Sequence, residues 1–187
     1  MKIKPILLSI LLLLGSFSVS AESSSAAVQS TSNQKENLVE NYDFEGWGAH
    51  PWYVWVEDSN TMVRASIDQN ESVTGNQSLV IEVITSGARN RIELHQQHFS
   101  FTKGQKLTFS VWAKSENVRT AKLIVNHRQP PWEDYGGKWV TITKDWQEFF
   151  ASVEITENDD IVGIYIELKD DINGKVWFDA VRFYEEY

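Results

Sequence analysis

Charged side chains alternate with apolar ones in a short stretch near the middle of the chain. Arg91, Glu93 and His95 alternate with Ile92 and Leu94. Because successive side chains of a strand point to opposite faces, this pattern predicts a strand with one polar face. Guanidinium, carboxylate and imidazole groups on that face could make charge-assisted hydrogen bonds to a polar ligand. The alternative is a solvated outer face that binds nothing.

Two later segments show the same alternation. Lys122, Asn126 and Arg128 fall on one side of a predicted strand, and Tyr165 and Glu167 fall on one side of another. If the three strands belong to one sheet, their polar sides line one face of it. We expect that face to be concave and to hold an extended polar ligand.

Four aromatic residues lie where the chain is expected to turn. Trp52 and Trp55 follow Pro51, and Trp132 and Tyr135 lie in a loop that contains two prolines and two glycines. An indole ring offers a flat apolar surface that matches the C–H face of a sugar ring. We therefore expect these side chains to contact a sugar ligand, with packing inside the protein as the alternative. The strand patterns hold four more tryptophans, which we predict to lie in the core or to cover a sheet: Trp112, Trp139, Trp146 and Trp177.

The sequence contains no clear catalytic motif. The stretch 91–94 is similar to a strand of the alginate lyases of polysaccharide lyase family 7, but the chain lacks the Tyr-x-Lys strand that those enzymes need. The four histidines are not spaced as zinc ligands, and the chain has neither a Gly-x-Ser-x-Gly motif nor a cysteine. We predict no catalytic residues, and a small polysaccharide lyase or hydrolase is the alternative.

The first 21 residues have the pattern of a secretory signal peptide. Lys2 and Lys4 precede the apolar stretch 6–14, and small residues at 19–21 provide a cleavage site near Ala21. The apolar stretch is too short to span a membrane. We therefore expect a secreted or periplasmic protein that is not inserted in a membrane after cleavage, with a retained anchor as the alternative.

Residues 22–36 are rich in Ser, Ala, Gln and Asn, and this composition predicts a flexible linker. Loss of Lys2 and Lys4 with the signal peptide would change the formal net charge from −9 to −11, because residues 1–21 contain no acid. Such an acidic protein is poorly suited to nucleic acids and anionic membranes. The absence of cysteine excludes disulfides and a lipoprotein anchor.

Residues 37–187 are predicted to form a single all-β domain. Short stretches with period-2 alternation recur, separated by turn-forming residues such as Gly, Asn and Asp. We expect about ten strands, including terminal strands over 37–45 and 174–183, in a two-sheet antiparallel β-sandwich or jelly roll. We also expect a monomer.

The two ends of this domain resemble those of carbohydrate-binding modules of families 4 and 9. Those modules open with an Asn-Leu-x-x-Asn-x-x-Phe-Glu pattern, present here at 37–45, and close with an aromatic-Asp-x-Val-x-aromatic strand, present here at 178–183. The stretch 112–114 is similar to the aromatic-Ala-basic end of their central strand. The resemblance implies a galactose-binding-like jelly roll whose concave sheet holds a glycan chain.

The same resemblance implies a structural calcium ion that joins the two ends of the domain. Glu45 and Asp179 occupy the family's Phe-Glu and aromatic-Asp positions. Backbone carbonyls at Asp43, Thr74 and Gln77 would complete the oxygen ligands that calcium prefers.

These observations together favour non-catalytic binding of a polysaccharide or oligosaccharide chain outside the cytoplasm. An adhesion or matrix protein that binds another protein is a second alternative to this function. The resemblance suggests β-glucan or xylan chains, whereas the arginines of the polar faces would also suit an acidic glycan, because guanidinium pairs with carboxylate.

Overall fold

The computed structural model describes residues 35–89, 91–169 and 173–186. The predicted signal peptide, and the predicted linker up to residue 34, lie outside these ranges. The described residues form strands, turns and irregular segments, and none of them belongs to a helix long and apolar enough to cross a membrane.

Ten strands make up the domain within the described ranges. They are β1 (Tyr53–Val56), β2 (Met62–Asp68), β3 (Ser78–Thr85), β4 (Ile92–Phe101), β5 (Lys106–Ser115), β6 (Arg119–His127), β7 (Asp134–Ile142), β8 (Gln147–Glu154), β9 (Asp159–Lys169) and β10 (Gly174–Glu186).

The strands form two five-stranded sheets that pack face to face. The front sheet has the order β1-β4-β9-β6-β7, and the back sheet has the order β2-β3-β10-β5-β8. Every strand pair is antiparallel. The prediction of an all-β, two-sheet antiparallel sandwich is therefore confirmed.

Alternation places one apolar face of each sheet in the core. In the front sheet β9 buries Ile164, Ile166 and Leu168, and in the back sheet β5 buries Leu107 and Phe109. Burying each of these side chains contributes about 1.5–3 kcal/mol relative to exposure. Because neighbours along a strand point to the opposite side, the outward face of the front sheet is left to the intervening residues.

The segment 37–45, predicted to be a strand, is irregular and forms turns instead. Asn37 nevertheless ties it to β10, because its Nδ2 donates to the carbonyl of Val181 (3.0 Å) and its Oδ1 accepts from the amide of Phe183 (2.9 Å). Asn41 has a φ of 47°, and a residue in this left-handed region cannot continue a strand. Two isolated backbone hydrogen bonds also join the segment to β10, from the Leu38 amide to the carbonyl of Phe183 and from the Val181 amide to the carbonyl of Tyr42 (both 2.8 Å). The prediction was wrong because these contacts do not form a regular backbone ladder.

The strand register aligns residues in a row across the whole front sheet. Trp55 on β1 is paired with Glu93 on β4, which is paired with Glu167 on β9. Lys122 on β6 is paired with Glu167, and Trp139 on β7 is paired with Lys122. Paired residues of antiparallel strands share a face, and four strand spacings span about 19 Å. The outward face therefore carries a row of ionic side chains with a tryptophan at each end.

Candidate functional site

A cleft of about 1010 Å³ lies on the outward face of the front sheet, beside the loop that follows β6. The structure brings together here ten of the twelve side chains that the sequence placed on the three polar strand faces or among the four turn aromatics: Trp55, Arg91, Glu93, His95, Lys122, Asn126, Arg128, Trp132, Tyr165 and Glu167. They come from β1, β4, β6, β9 and the segments that follow β6 or precede β4. One polar surface thus collects side chains from distant parts of the sequence.

The floor of the cleft is a network of ion pairs. Arg91 Nη2 lies 2.6 Å from Glu93 Oε1, and Arg91 Nε lies 3.3 Å from Glu167 Oε2. Arg128 Nη1 lies 3.7 Å from Glu93 Oε2, and Lys169 Nζ lies 3.4 Å from Glu167 Oε1. Each oxygen of these two carboxylates therefore faces a cation. The network fixes the positions of the side chains before any ligand arrives.

Burial makes this network sensitive to the loss of any member. The side chains of Glu93 and Glu167 are 4% and 8% exposed. Burial raises the pKa of Glu93, and the nearby Arg91 and Arg128 guanidinium groups oppose that rise. A buried carboxylate is tolerated when it is paired and becomes costly when its partner is removed.

The cationic side chains of the cleft all have acidic partners. Lys122 Nζ lies 3.1 Å from Asp134 Oδ2, and Arg91, Arg128 and Lys169 contact the carboxylates of the floor. Four acidic side chains and four lysine or arginine side chains line the cleft. In the described part of its lining, the cleft therefore has no cation without a carboxylate close by.

Two buried polar atoms in the cleft, His95 Nδ1 and Asn126 Oδ1, have no hydrogen-bond partner among the described residues. A third, Arg91 Nε, makes only the ion-pair contact with Glu167 Oε2, without hydrogen-bond geometry. Buried polar atoms nearly always have such a partner, and leaving one without it costs about 1–3 kcal/mol. Donors and acceptors are both represented, on both sides of the central strand β9. A hydroxyl-rich ligand could satisfy all of them, because a hydroxyl both donates and accepts.

His95 is uncharged at neutral pH. Burial, followed by the Arg128 cation, lowers its pKa to about 4. Its ring stacks on Tyr53 with the centroids 5.8 Å apart, and its side chain is 12% exposed. A neutral imidazole has one donor and one acceptor nitrogen, which suits an uncharged polar ligand.

We expect His95 to make the protein less stable in acid. An unfolded chain protonates His95 near pH 6.5 and the folded chain only near pH 4, so falling pH favours the unfolded state between these values. One group shifted this far lowers the free energy of unfolding by about 2 kcal/mol between pH 7 and pH 4.5. In urea unfolding between pH 7 and pH 4.5, the free energy of unfolding of His95→Gln should fall by about 2 kcal/mol less than that of wild type. Equal losses in the two proteins would contradict the prediction.

Three exposed tryptophans border the polar floor. Trp55 and Trp139, at the two ends of the row across the sheet, are 43% and 48% exposed, and Trp132 in the loop after β6 is 54% exposed. Trp139, predicted to lie in the core or cover a sheet, does the latter, and the ammonium groups of Lys122 and Lys169 lie 5.8 and 4.8 Å from its ring centroid. Flat apolar surfaces thus stand on both sides of the ionic floor.

Two residues predicted to contact a ligand lie elsewhere. Trp52 is only 5% exposed, and its indole N–H donates to the carbonyl of Asn41 (3.2 Å). Tyr135 packs against the core, and its hydroxyl donates to Asp159 Oδ2 (2.8 Å). Both are removed from the cleft because neighbouring loops supply them with packing and a hydrogen-bond acceptor. In the structure both side chains pack against the protein and do not line the cleft.

Four cleft residues were not among these predicted side chains: Glu57, Ile124, Asp134 and Lys169. Ile124 lies two residues before Asn126 on β6 and Lys169 two residues after Glu167 on β9, so the alternation of strand side chains places both on the predicted polar faces. Glu57 and Asp134 lie at strand ends, where alternation gives no guidance.

At the other predicted site, Asp179 is fully buried and accepts four hydrogen bonds. Its Oδ2 accepts from the amides of Val73 (2.6 Å) and Thr74 (2.9 Å), and its Oδ1 accepts from Thr74 Oγ1 (3.3 Å) and the amide of Ala180 (2.6 Å). Burial raises the pKa of Asp179, while these donors oppose the rise. The four contacts use the four acceptor positions that a carboxylate offers.

Glu45 binds the same loop from the opposite end of the domain's sequence. Its Oε1 accepts from the amides of Asn76 (2.6 Å) and Gln77 (2.7 Å). Gly75 lies against this carboxylate with a φ of 61°, and a Cβ there would overlap the Glu45 side chain. Glu45 and Asp179 therefore attach residues 73–77 to both ends of the domain, and together these contacts form a carboxylate clamp.

The carboxylate clamp does not fit a calcium ion in this arrangement. The expected ligands were oxygens, including the carbonyls of Asp43, Thr74 and Gln77. Thr74 and Gln77 instead present their amides to the carboxylates, and an N–H cannot ligate a cation. The Thr74 hydroxyl donates to Asp179 as well. Within the described ranges, no three His, Cys, Asp or Glu residues are grouped as metal ligands. The two carboxylates bind the backbone directly.

Comparison with known proteins gives one family match. A family model described as "Carbohydrate binding domain" matches residues 36–173. No curated protein matches the chain. The matched range includes nine of the ten strands and every cleft residue.

Solved structures share the fold at low sequence identity. One described as "CBM4 structure and function" is 21% identical, with 79% of this chain and 99% of that chain covered and a TM-score of 0.61. TmCBM61, solved with β-1,4-galactotriose, is 16% identical, with 81% and 99% covered and a TM-score of 0.56. A Stig cyclase, Fisc from Fischerella sp. TAU, is 12% identical, with 80% and 96% covered and a TM-score of 0.62. Since one of these is a cyclase, the fold by itself does not decide the activity.

Proposed function

Because this chain belongs to the carbohydrate-binding domain family, we propose that its cleft holds a chain of uncharged sugar residues without cleaving it. The polysaccharide would lie across the strands, along the row from Trp55 to Trp139. That row is about 19 Å long, which is long enough for several consecutive sugar rings. The tryptophans would contact ring faces and the floor would contact hydroxyls.

The observation that carries this proposal is the set of unpartnered polar atoms between exposed tryptophans. His95 Nδ1 and Asn126 Oδ1 are buried and lack hydrogen bonds within the described residues, and Arg91 Nε makes only an ion-pair contact with Glu167. Trp55 and Trp139 offer flat apolar surfaces on either side. A sugar chain combines both chemistries, since each ring has apolar C–H faces and an equator of hydroxyls.

The charge pattern favours a neutral glycan over an acidic one. Each cation of the cleft already contacts a carboxylate at 2.6–3.7 Å. A uronate would have to compete with those carboxylates in a protein of formal net charge −9. A neutral chain needs no such exchange and can use the remaining donors and acceptors.

The same ion pairs argue against a catalytic role for Glu93 and Glu167. A glycosidase or lyase needs a carboxylate or base that is free to exchange a proton or attack the sugar. Glu93 and Glu167 instead face Arg91, Arg128 and Lys169. A small lyase or hydrolase is the enzymatic alternative, and it predicts new reducing ends or unsaturated uronates when polysaccharides are incubated with the protein.

We also propose that the protein is exported and monomeric. The pattern of residues 1–21 supports a cleaved signal peptide and a secreted or periplasmic location. In either place, polysaccharides are available as partners. Edman sequencing of the exported protein would test cleavage near Ala21, and light scattering would test the monomer.

Calcium remains a separate proposal, carried by the family resemblance and not by the contacts of the carboxylate clamp. A bound ion would stabilise the folded form by binding it alone. In that case a chelator would lower the melting temperature of the wild-type protein. An unchanged melting temperature would mean that the clamp holds without an ion.

We expect loss of either end tryptophan to weaken glycan binding about 30-fold, which corresponds to about 2 kcal/mol for a central aromatic contact. The test compares Trp55→Ala and Trp139→Ala with wild type in gels that contain β-glucan, xylan, galactan or alginate, followed by calorimetry with the retained glycan. Trp47→Ala is the matched control, because Trp47 is fully exposed and does not line the cleft.

Four outcomes would count against the proposal. Retardation by alginate alone would contradict a neutral ligand, and release of new reducing ends would favour the enzymatic alternative. If Trp55→Ala, Trp139→Ala and Trp47→Ala all bound the glycan as wild type does, the binding site would lie elsewhere. Retardation in none of the gels would favour the alternative of an adhesion protein that binds another protein.

A further inference from the structure

Gly163 interrupts the outward face of the central strand of the front sheet. It lies on β9 between Asn126 on β6 and Gln97 on β4 in the strand register. A glycine inside a strand is unfavourable, because it has no side chain to pack and loses more freedom on folding. The backbone of Gly163 is not in the left-handed region, so its conformation does not require glycine. The side chains packed around Gly163 provide a different reason for glycine at this position.

The surroundings contain the side chain of Arg128. A Cβ built on Gly163 would lie 2.5 Å from Cγ and 2.7 Å from Cδ of Arg128. The start of that side chain is fixed, because the Arg128 amide donates to the carbonyl of Ile161 (3.1 Å). The aliphatic stem of Arg128 thus lies directly on the backbone of β9. We call this space over Gly163 the glycine slot.

The guanidinium of Arg128 reaches the cleft after passing over the glycine slot. Its Nη1 lies 3.7 Å from Glu93 Oε2, and its Nε donates to Gln97 Oε1 (3.3 Å). The same group lies 5.4 Å from the ring centroid of Tyr165 and 5.8 Å from that of Trp132. Arg128 therefore connects the floor on β4 and β9 with the exposed tryptophan of the following loop.

We propose that Gly163 is a positioning residue for the cleft: it admits the stem of Arg128 across the central strand, and Arg128 in turn holds Trp132 beside the bound glycan. The effect on binding rests on the proposed function, whereas the effect on packing does not. A side chain at position 163 would lift the stem from the sheet. The guanidinium would then lose its place over the Tyr165 ring, and Trp132 would lose its cationic neighbour.

A double-mutant cycle tests this coupling with Gly163→Ala, Arg128→Ala and the combined variant. We expect each single variant to bind the retained neutral glycan about tenfold more weakly than wild type, a change that corresponds to about 1.4 kcal/mol. The combined variant should bind as Arg128→Ala does, because without the stem the added methyl has nothing to displace. Gly163→Ala should lower the melting temperature of wild type but not that of Arg128→Ala.

Two results would overturn the proposal. Gly163→Ala could bind and melt as wild type does, which would mean that the stem does not need the slot. The two substitutions could also give additive losses in both binding and melting temperature, which would mean that Gly163 acts independently of Arg128. If wild type bound no glycan at all, the proposed function would fall, and the melting-temperature cycle would still decide on the glycine slot.

Discussion

Replacing Arg91 with alanine is expected to lower the free energy of unfolding by about 2 kcal/mol at pH 7 and to weaken glycan binding at least tenfold. Arg91 lies between Glu93 and Glu167, whose side chains are 4% and 8% exposed. Without it, two neighbouring carboxylates remain in the floor of the cleft. Arg128 and Lys169 stay as partial counter-ions, and Arg91 is itself 38% exposed. The loss is therefore smaller than the roughly 3–5 kcal/mol of a fully buried pair.

The pH dependence of the Arg91→Ala variant separates this electrostatic cause from a packing defect. Burial already raises the pKa of Glu93, and Arg91 opposes that rise, so removing Arg91 should raise the pKa further. A carboxyl whose folded pKa is raised favours the folded state at low pH, where it is protonated. The difference in unfolding free energy from wild type should therefore shrink between pH 7 and pH 5 in urea unfolding. A difference that does not change with pH would contradict the electrostatic explanation.

Two further variants serve as controls for Arg91. Arg91→Lys keeps the charge, but an ammonium group cannot bridge two carboxylates as a planar guanidinium does. Its free energy of unfolding should therefore lie between those of wild type and Arg91→Ala. Glu93→Gln added to Arg91→Ala removes one of the unpaired charges and should recover part of the stability. If the double variant were less stable than Arg91→Ala alone, charge would not be the cause.

Local patterns were sufficient to predict the sandwich and much of the cleft. The alternation of apolar Leu107 and Phe109 with polar Thr108 and Ser110 marks β5, because the side chains that face the core of a sandwich repeat every second residue along a strand. The same rule places Glu93, Tyr165 and Glu167 on one side of their strands. Parity also shows that Trp139 and the core residue Val140 face opposite ways. The face of a strand on which a residue lies can thus be predicted from the sequence of that strand alone.

Contacts made by irregular segments could not be predicted in this way. Trp52 lies outside the strands, and it is buried where it packs against Phe44 and donates to the carbonyl of Asn41. The segment 37–45 matches the family's opening pattern, yet the pattern reflects the side-chain contacts of Asn37 with β10 and not a strand. The reason for glycine at position 163 appears only once Arg128 is seen to cross it. Each of these depends on the relative position of two segments far apart in sequence.

Replacing Asp179 with alanine is expected to lower the free energy of unfolding by about 3–5 kcal/mol. Asp179 is fully buried, and its removal leaves the amides of Val73, Thr74 and Ala180 without their acceptor. Each buried donor that loses its partner costs about 1–3 kcal/mol, with some relief if water enters. The loss also detaches residues 73–77 from β10, so half of the carboxylate clamp is removed. Urea unfolding at pH 7 measures the change.

Asp43→Ala is the matched control for Asp179→Ala, because Asp43 is a neighbouring acid whose Oδ1 accepts one amide hydrogen bond, from Glu45 (3.3 Å). We expect it to cost about 1 kcal/mol or less. Repeating the unfolding of both variants and wild type with a chelator separates the two roles proposed for Asp179. If the Asp179 carboxylate only accepts hydrogen bonds from the backbone amides, the difference in unfolding free energy between wild type and Asp179→Ala is the same with and without chelator. If the carboxylate instead ligates an ion, the chelator lowers the unfolding free energy of wild type to that of the variant. An Asp179→Ala protein that unfolds like wild type in both buffers would contradict the clamp itself, because no other acceptor faces these amides among the hydrogen bonds of the described residues.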